Sequence, residues 1–516
     1  MRSSRLGTFA ALVTAVALGV GCQAATPTPS RTGGLTPTDS ASAKPIPTLS
    51  TPSSTPSDVA SRWIPAGTMT LPRSTTHAVL LGDGRVLVVG NGGVYEVPDD
   101  SVNAELWDPA TEAWQVTMSL NKPRGDFGAV PLADGRALVT GGFNQVNQSY
   151  SSTYIYEPQR VAGGSAKGWS ATGLLVRART GPAAAVLTDG RVLVAGGYFR
   201  VEPNFDEGRA GDGVLAVYRP GAVSRAAVFR GPLADIEAPP VGAAMATAEL
   251  FDPATGTWSD TGPLKYARHG AAAVTLTDGR VLVAGSGPEA SGVTLDAGAY
   301  GTAELYDPAR GRFSLTGALP EVNRPALQKL GVPGADPVPE SDPIVDDVGT
   351  LVALDDGGAV LIGHTGSWKH VGEITRSFRF DAQSQTWTEI GQTYVFVVDP
   401  GAPSSVPLVT RGVRRLTGAL VARLPDGRVL VAGGADAIPE GSPHSNTYTA
   451  TTAELYDPAT DTWSPLPPMP EPRAAGAAVA LADGSVLLVG GYSDRPPPND
   501  GERTVLASAV RFVQAP

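Results

Sequence analysis

Short apolar runs alternate with polar turns along most of the chain, and their spacing repeats. The recurring phrase is an apolar run, then Leu-x-Asp-Gly followed by Arg or a close variant, then a second apolar run that usually ends in Gly-Gly. Asp-Gly between two β-rich runs predicts a tight hairpin. A second run that is apolar on both faces, such as Val86–Val89, predicts a strand buried between neighbouring sheets. The seven turn aspartates are Asp83, Asp134, Asp189, Asp278, Asp356, Asp426 and Asp483, of which the Asp356 copy is the least regular.

A second phrase follows the first and reads Ala-Glu-Leu-Tyr-Asp-Pro-Ala-Thr-x-Thr-Trp in its regular form. Asp-Pro predicts a turn, because proline fixes φ at the second turn position and aspartate accepts hydrogen bonds from the turn backbone. The tryptophan predicts a fourth strand with a large buried side chain. The copies run over Ala104–Trp114, Thr153–Trp169, Ala248–Trp258, Ala303–Phe313, Phe378–Trp387 and Ala453–Trp463.

Two hairpins in each unit of about 50 residues resemble the kelch family. The Gly-Gly pairs, the Tyr-Asp-Pro turns and the spaced tryptophans carry this resemblance over nearly all of residues 59–516. The resemblance implies an all-β, seven-bladed kelch-type β-propeller with four antiparallel strands per blade. A six-bladed ring is the alternative if the unit around Asp356 forms no blade.

The two ends of the repeat region predict how the ring closes. Trp63 precedes the first unit, whereas the last unit stops after its third strand at Ala509–Phe512. We therefore expect residues 62–69 to form the outer strand of blade 7, which removes the open edges that invite aggregation.

The N-terminus is typical of an exported lipoprotein. Arg2 and Arg5 precede an apolar run over residues 6–20, the pattern of a signal peptide. Leu18-Gly19-Val20-Gly21-Cys22 resembles a bacterial lipobox, which implies removal of residues 1–21, acylation of Cys22 and anchoring to the outside of the cell membrane. Plain secretion is the alternative. Ser, Thr and Pro supply 22 of the 36 residues from 23 to 58, so we expect residues 22–58 to be a disordered tether.

Composition excludes several function classes. The net charge of -11 argues against nucleic acid as a partner. Among enzymes with this fold, the chain is similar to galactose oxidase, whose copper site requires two tyrosines, two histidines and a cysteine cross-linked to a tyrosine. Cys22 is the single cysteine of the chain and precedes the repeats, so that site cannot be built. We expect no cofactor and no metal site, although His364 and His370 flank Trp368 in one loop.

An arginine that recurs just before the first strand of each unit is the candidate binding feature. Such residues start the innermost strand, so they are expected to ring the central opening, where guanidinium groups bind carboxylate or sulfate. The alternative is that each arginine bonds loop carbonyls of its own or the next blade. The positions are Arg73, Arg124, Arg179, Arg268 and Arg473, ten residues before the turn aspartate, and Arg415, eleven before it; Asp346 takes the place in the fifth unit.

A second charged ladder is expected to be structural. Arg85 and its equivalents on the second strands face the third strands, which carry Glu105, Glu249, Glu304 and Glu454. These charges are predicted to form cross-strand ion pairs, each worth at most about 1 kcal/mol.

The long insertions lie on one face of the predicted disc. The turn face carries the tight Asp-Gly and Asp-Pro turns, and the loop face carries the second-to-third connections and the links between blades. Loops on one face of a rigid scaffold commonly bind ligands. The insertions are residues 199–246, 287–301, 320–347, 391–416 and 435–451, and the aromatic residues expected to contact a ligand there are Tyr198, Phe199, Phe205, Tyr300, Trp368 and Tyr448.

These patterns predict a monomeric cell-surface binding or scaffold lipoprotein that presents its loop face to a glycan or a protein. The alternative is a carbohydrate-active enzyme similar to sialic-acid mutarotases, which would use Arg73, Arg124, Arg179, Arg268 and Asp346 at the central opening. No catalytic constellation stands out in the sequence.

Overall fold

Four-stranded antiparallel sheets repeat through the structure, a computed structural model, and residues 56–516 form one compact unit. The described residues are 61–90, 103–120, 123–143, 149–158, 168–199, 244–285, 301–320, 345–347, 349–368, 372–390, 418–436, 448–494 and 503–514. The predicted signal peptide, Cys22 and the predicted tether lie outside them, as do most of the long insertions.

Every blade has an antiparallel sheet whose strands follow one another in chain order from the inside outward, apart from the first strand of the chain, β1 (Arg62–Thr68), which belongs to blade 7. Blade 1 contains β2 (His77–Leu80), β3 (Val86–Val89), β4 (Asn103–Asp108) and β5 (Ala113–Ser119). Blade 2 contains β6 (Gly128–Pro131), β7 (Ala137–Thr140), β8 (Thr153–Tyr156) and β9 (Trp169–Ala171). Blade 3 contains β10 (Ala183–Val186), β11 (Val192–Ala195), β12 (Ala248–Asp252) and β13 (Thr257–Thr261).

The remaining blades follow the same order. Blade 4 contains β14 (Ala272–Thr275), β15 (Val281–Ala284), β16 (Ala303–Asp307) and β17 (Arg312–Leu315). Blade 5 contains β18 (Val345–Asp347), β19 (Thr350–Ala353), β20 (Ala359–Trp368), β21 (Gly372–Asp381) and β22 (Thr386–Ile390). Blade 6 contains β23 (Leu420–Arg423), β24 (Val429–Ala432), β27 (Ala453–Asp457) and β28 (Thr462–Pro465), with a small hairpin of β25 (Ala435–Asp436) and β26 (Tyr448–Thr449). Blade 7 contains β29 (Ala477–Ala480), β30 (Val486–Val489) and β33 (Ser508–Val513), with a hairpin of β31 (Tyr492–Asp494) and β32 (Arg503–Val505).

The innermost strands form a closed ring. Each contacts its neighbours in the order β2, β6, β10, β14, β19, β23 and β29, and β29 returns to β2. The seven-bladed all-β propeller is therefore confirmed. The six-bladed alternative is excluded because β19–β22 form a sheet of their own in blade 5.

The predicted closing strand is confirmed as well. β1 pairs antiparallel with β33, placing Trp63 opposite Phe512, and the two rings lie 5.2 Å apart. Trp63 Nε1 also donates a hydrogen bond to the Pro467 carbonyl oxygen at 2.8 Å. The first strand of the chain thus completes the last sheet.

The core lies between blades. Val86 and Val88 pack into a cluster shared with blade 7, whereas Leu87 and Val89, which point to the opposite face of the sheet, pack into one shared with blade 2. All four side chains are fully or almost fully buried. A strand with apolar neighbours on both faces needs an unbroken apolar run, which explains the second run of the repeated phrase.

Candidate functional site

The repeated arginines lie inside the blades instead of ringing the opening. The five described ones are at most 4% exposed. In each of them, Nη1 donates a hydrogen bond to the carbonyl oxygen of the first glycine after the second strand. This contact joins the loop before the first strand of the blade to the end of the second strand. The pairs are Arg73 with Gly90 (3.1 Å), Arg124 with Gly141 (2.8 Å), Arg179 with Gly196 (2.7 Å), Arg268 with Gly285 (3.1 Å) and Arg473 with Gly490 (3.1 Å).

A buried glutamate on the third strand completes this unit. Glu249 accepts hydrogen bonds from the backbone N–H groups of Val176 and Arg177, at 2.6 and 3.1 Å, and from Arg179 Nη2 at 2.5 Å. Glu105 and Glu304 make the same contacts in blades 1 and 4. The carboxylate therefore ties the link arriving from the previous blade to the sheet of its own blade.

The predicted ladder between Arg85 and Glu105 is wrong. In the sheet register Glu105 lies opposite Val88, and its carboxylate contacts Arg73 and the link, so it is out of reach of Arg85. Arg85 instead pairs with Asp83 in its own hairpin turn at 2.6 Å. The same turn pairing holds for Arg136, Arg191, Arg280 and Arg428.

These contacts remove the described arginines from the candidate ligand site. An anion cannot reach guanidinium groups that are buried and hydrogen-bonded to backbone carbonyls, so the expected ring of anion-binding side chains is wrong for Arg73, Arg124, Arg179, Arg268 and Arg473. Their observed contacts match the structural alternative. Arg415 lies outside the described residues.

The other two predicted site residues come together in an extension of blade 5. β20 and β21 each have ten residues and continue beyond the sheet, where β18 pairs with β20. Asp346 lies opposite Gly366, two positions before Trp368, and Trp368 lies opposite Gly372. The extension leaves the disc on the loop face.

Among the aromatic residues expected to contact a ligand, Tyr198 and Phe199 are each only 6% exposed and belong to the core. Tyr198 forms β-bridges with Thr180 and Ala244, and its ring stacks edge-on against the His269 ring at 5.3 Å. Tyr448 lies in β26. Phe205 and Tyr300 lie outside the described residues.

In blade 2, tyrosine rings instead of a glutamate surround the buried arginine. The third strand of this blade has Tyr154 where blades 1, 3, 4 and 6 have glutamate, and Arg124 packs over the rings of Tyr150 and Tyr154 at 4.8 and 5.1 Å. Burial lowers the pKa of Arg124. In blade 7, Glu471 of the link supplies the carboxylate at 3.3 Å, and burial lowers the pKa of Arg473 to about 10.

A second ring, which the repeat pattern did not predict, lies eight residues before the turn aspartates. Its members have positive φ and precede the innermost strands, so they surround the axis on the loop face: Thr75, Asp126, Gly181, Gly270, Gly418 and Ala475. Four hydrogen bonds of 2.7 Å run around it, from Thr75 N to Ala475 O, Gly181 N to Asp126 O, Gly270 N to Gly181 O and Ala475 N to Gly418 O. The glycine that recurs at this position was the available signal.

Asp126 is the charged member of this ring. It is exposed at the opening, yet the surrounding protein raises the pKa of its carboxyl group by desolvation. The carboxyl group is thus open to solvent and still close enough to the surrounding protein to lose part of its hydration.

The described residues offer neither a metal-binding cluster nor a membrane-spanning helix. Within the described ranges, no three His, Cys, Asp or Glu side chains gather closely enough to hold a metal ion. The same part of the chain contains no helix with the length and apolar character needed to cross a membrane.

Comparison with known proteins supports the repeat. The family profile of the Kelch motif matches residues 424–470, which in the structure run from the first turn of blade 6 into the link to blade 7. The chain is also similar to Spermatocyte protein spe-26 of Caenorhabditis elegans, with 30% identity over 101 residues, 19% of this chain and 17% of that protein. The chain is thus a seven-bladed β-propeller, and the matching motif in blade 6 supports a kelch-repeat propeller.

Proposed function

We propose that the protein is a non-catalytic binding or scaffold module that presents its loop face to a partner protein. A kelch propeller suggests a binding or scaffold role, and a rigid closed ring holds loops in fixed positions. The observation that carries the proposal is the row of backbone extensions beyond the second strands on that face.

These extensions are found in several blades. Blade 5 adds the three-stranded β18–β20–β21 unit, and blades 6 and 7 add the hairpins β25–β26 and β31–β32, of which β26 contacts β31. In blades 2 and 3, isolated bridges at Phe143 and Tyr198 continue the chain past the glycine pair. The turn face, by contrast, has short Asp-Gly and Asp-Pro turns. We therefore expect the partner protein to bind the loop face.

A protein partner is favoured over a glycan and over carbohydrate chemistry. Tyr198 and Phe199, two of the aromatic residues expected to stack on sugar, are buried. Arg73, Arg179 and Arg268, which the mutarotase-like alternative requires at the opening, are held inside the blades by glutamates and carbonyls.

Site-specific photo-crosslinking of the full chain in its own cells tests the assignment. A benzophenone amino acid in place of exposed Thr504 samples the loop face, and the same residue in place of exposed Thr111 samples the turn face. We expect defined protein adducts from position 504 and none from position 111. Equal adducts from both positions, none from either, or specific binding on a glycan array without protein adducts would contradict the proposal.

Export and lipid anchoring through Cys22 are part of the same proposal. The basic start, the apolar run and the lipobox-like segment of the sequence support them. Metabolic labelling with an alkyne fatty acid is expected to mark the wild-type chain and not Cys22→Ser. A labelled Cys22→Ser chain, or an unlabelled wild type that is released into the medium, would favour plain secretion or another site of acylation.

A further inference from the structure

We propose that Asp126, at the axial opening between blades 1 and 2, binds a basic side chain, the ammonium of lysine or the guanidinium of arginine, from the partner protein. This inference rests on the proposed function and names the chemistry recognised at the centre of the loop face.

The first observation is the composition of the axial ring. Its other described members are Thr75, Gly181, Gly270, Gly418 and Ala475, which are small and uncharged. None of these five side chains carries a charge that could pair with Asp126. Asp126 therefore supplies the charge of the described ring, in a position where the repeat otherwise has glycine, alanine or threonine.

The second observation is a break in the ring beside Asp126. Four neighbouring pairs of ring members are joined by backbone hydrogen bonds, but none of the described residues bonds to the Asp126 N–H, so the bond to Thr75 O is missing. A bulky pair separates the two inner strands at this point, with the His77 and Phe127 rings 4.7 Å apart. The positions that correspond to His77 in blades 2 and 3 are Gly128 and Ala183.

The third observation is charge balance. Arg73, Arg179 and Arg268 are each neutralised by a buried glutamate. Arg124, the arginine of blade 2, is enclosed by tyrosine rings, and no described ion pair includes Asp126. The Asp126 carboxylate is exposed and thus available to a ligand, and desolvation by the surrounding protein raises the pKa of this group.

The donor set selects the ligand class. A divalent calcium ion takes about 6–8 oxygen ligands, whereas no group of three acidic or histidine side chains lies at the opening among the described residues. A guanidinium or ammonium group forms a strong charge-assisted hydrogen bond with one carboxylate. A basic side chain therefore matches a lone carboxylate surrounded by small residues.

Saturation-transfer NMR on the full-length chain tests this with the capped peptides Gly-Lys-Gly and Gly-Arg-Gly as probes, and Gly-norleucine-Gly as the neutral control. Asp126→Gly gives the ring residue that blades 3, 4 and 6 already have, so it is expected to fold. Asp126→Asn keeps the size, and Asp355→Asn removes an exposed carboxylate from the turn face.

We expect saturation transfer to the lysine and arginine side chains in the wild type and in Asp355→Asn, with at least a fivefold loss in both Asp126 variants. Equal transfer in Asp126→Gly, or transfer to norleucine, would overturn the inference. If partner adducts from position 504 persist unchanged in Asp126→Gly, the binding module stands and this inference fails. If Asp126 binds the peptides while adducts arise only at position 111, the proposed function fails.

Discussion

At the scale of single residues, the fold depends on a buried polar unit that blades 1, 3 and 4 build in the same way. A guanidinium group satisfies the carbonyl at the end of the second strand, and a carboxylate satisfies two N–H groups of the incoming link. Buried polar groups must be hydrogen-bonded, and this unit serves several at once. Where the glutamate is missing, Tyr154 or Glu471 takes over part of its role.

Removing the arginine from two different blades separates its hydrogen bonds from its charge. Arg268→Met leaves the buried Glu304 carboxylate without its cationic partner. Arg124→Met leaves no carboxylate unpaired, because Arg124 packs against tyrosine rings. Because an unpaired buried charge costs about 3–5 kcal/mol, we expect Arg268→Met to lose clearly more stability in urea unfolding. Adding Glu304→Gln should remove most of the difference. Equal losses in the two single variants would show that the carboxylate adds nothing.

The sequence predicted where the arginines recur but not what they contact. Spacing placed them at the start of the inner strands, and the recurring Ala-Glu-Leu supplied the matching glutamates. The strand register places Glu105 opposite Val88, and the path of the link brings Arg73 to its carboxylate. Both features belong to the tertiary structure and leave no pattern in the sequence. Asp126 was missed because a single residue that departs from a repeat gives no periodic signal.

Two glycines with positive φ, one in an Asp-Gly turn and one in a Gly-Gly pair, offer a second prediction at this scale. Gly190 and Gly197 both have positive φ, but a Cβ at Gly190 would meet nothing within 4 Å, whereas one at Gly197 would lie 2.7 Å from Thr180 O. Gly190→Ala should therefore cost about 1–2 kcal/mol, the strain of the left-handed backbone alone. Gly197→Ala should cost more, measured by urea unfolding. A smaller loss at Gly197 would mean that the backbone relaxes there.

At the scale of elements, the closing strand has a role that other outer strands lack. β1 and β33 belong to opposite ends of the chain, so their pairing closes the ring and also covers an edge. The sequence predicted this strand from its unpaired tryptophan. It predicted blade 5 less well, because β20 and β21 have ten residues each, whereas the second and third strands of the other blades have four to six.

Two equivalent tryptophans test that role. Trp63 packs on Phe512 at 5.2 Å, and Trp258 packs on Phe251 at 5.0 Å in blade 3. Both alanine variants lose apolar contact, but Trp63→Ala also loosens the seam and exposes the β33 edge. We expect concentration-dependent association of Trp63→Ala in light scattering after size exclusion, because open edges pair. Trp258→Ala should stay monomeric. Association of both variants alike would point to general destabilisation.

At the scale of the whole molecule, seven interfaces between neighbouring blades close the ring, and the stability of the weakest interface limits the stability of the whole. Each apolar cluster is shared by two blades, so one blade cannot unfold without uncovering its neighbours. On the turn face, exposed Asp–Arg pairs such as Asp189 with Arg191 add little, at most about 1 kcal/mol each. The interface between blades 1 and 2 contains an ionisable ring, the partly buried imidazole of His77, which packs on Phe127.

Acid should therefore weaken the ring first at His77. Burial lowers the pKa of His77 to about 4 from an ordinary value of 6.5, so the unfolded chain takes up its proton at a higher pH than the folded one. The stability is fully present above pH 6.5 and falls between pH 6.5 and 4, by about 1.4 kcal/mol per pH unit and about 3 kcal/mol in all. Urea unfolding between pH 7.5 and 4.5 should show this decline in the wild type and a much flatter profile in His77→Leu.

Asp189→Asn is the control for that series. The Arg191 guanidinium lowers the pKa of Asp189 below its ordinary value of 3.8, so the contribution of this carboxylate is present above that value and disappears only in stronger acid. The decline from pH 6.5 should persist in Asp189→Asn. If instead His77→Leu declines as steeply as the wild type, the acid-sensitive group lies elsewhere, and the contact between blades 1 and 2 is not the weak point of the ring.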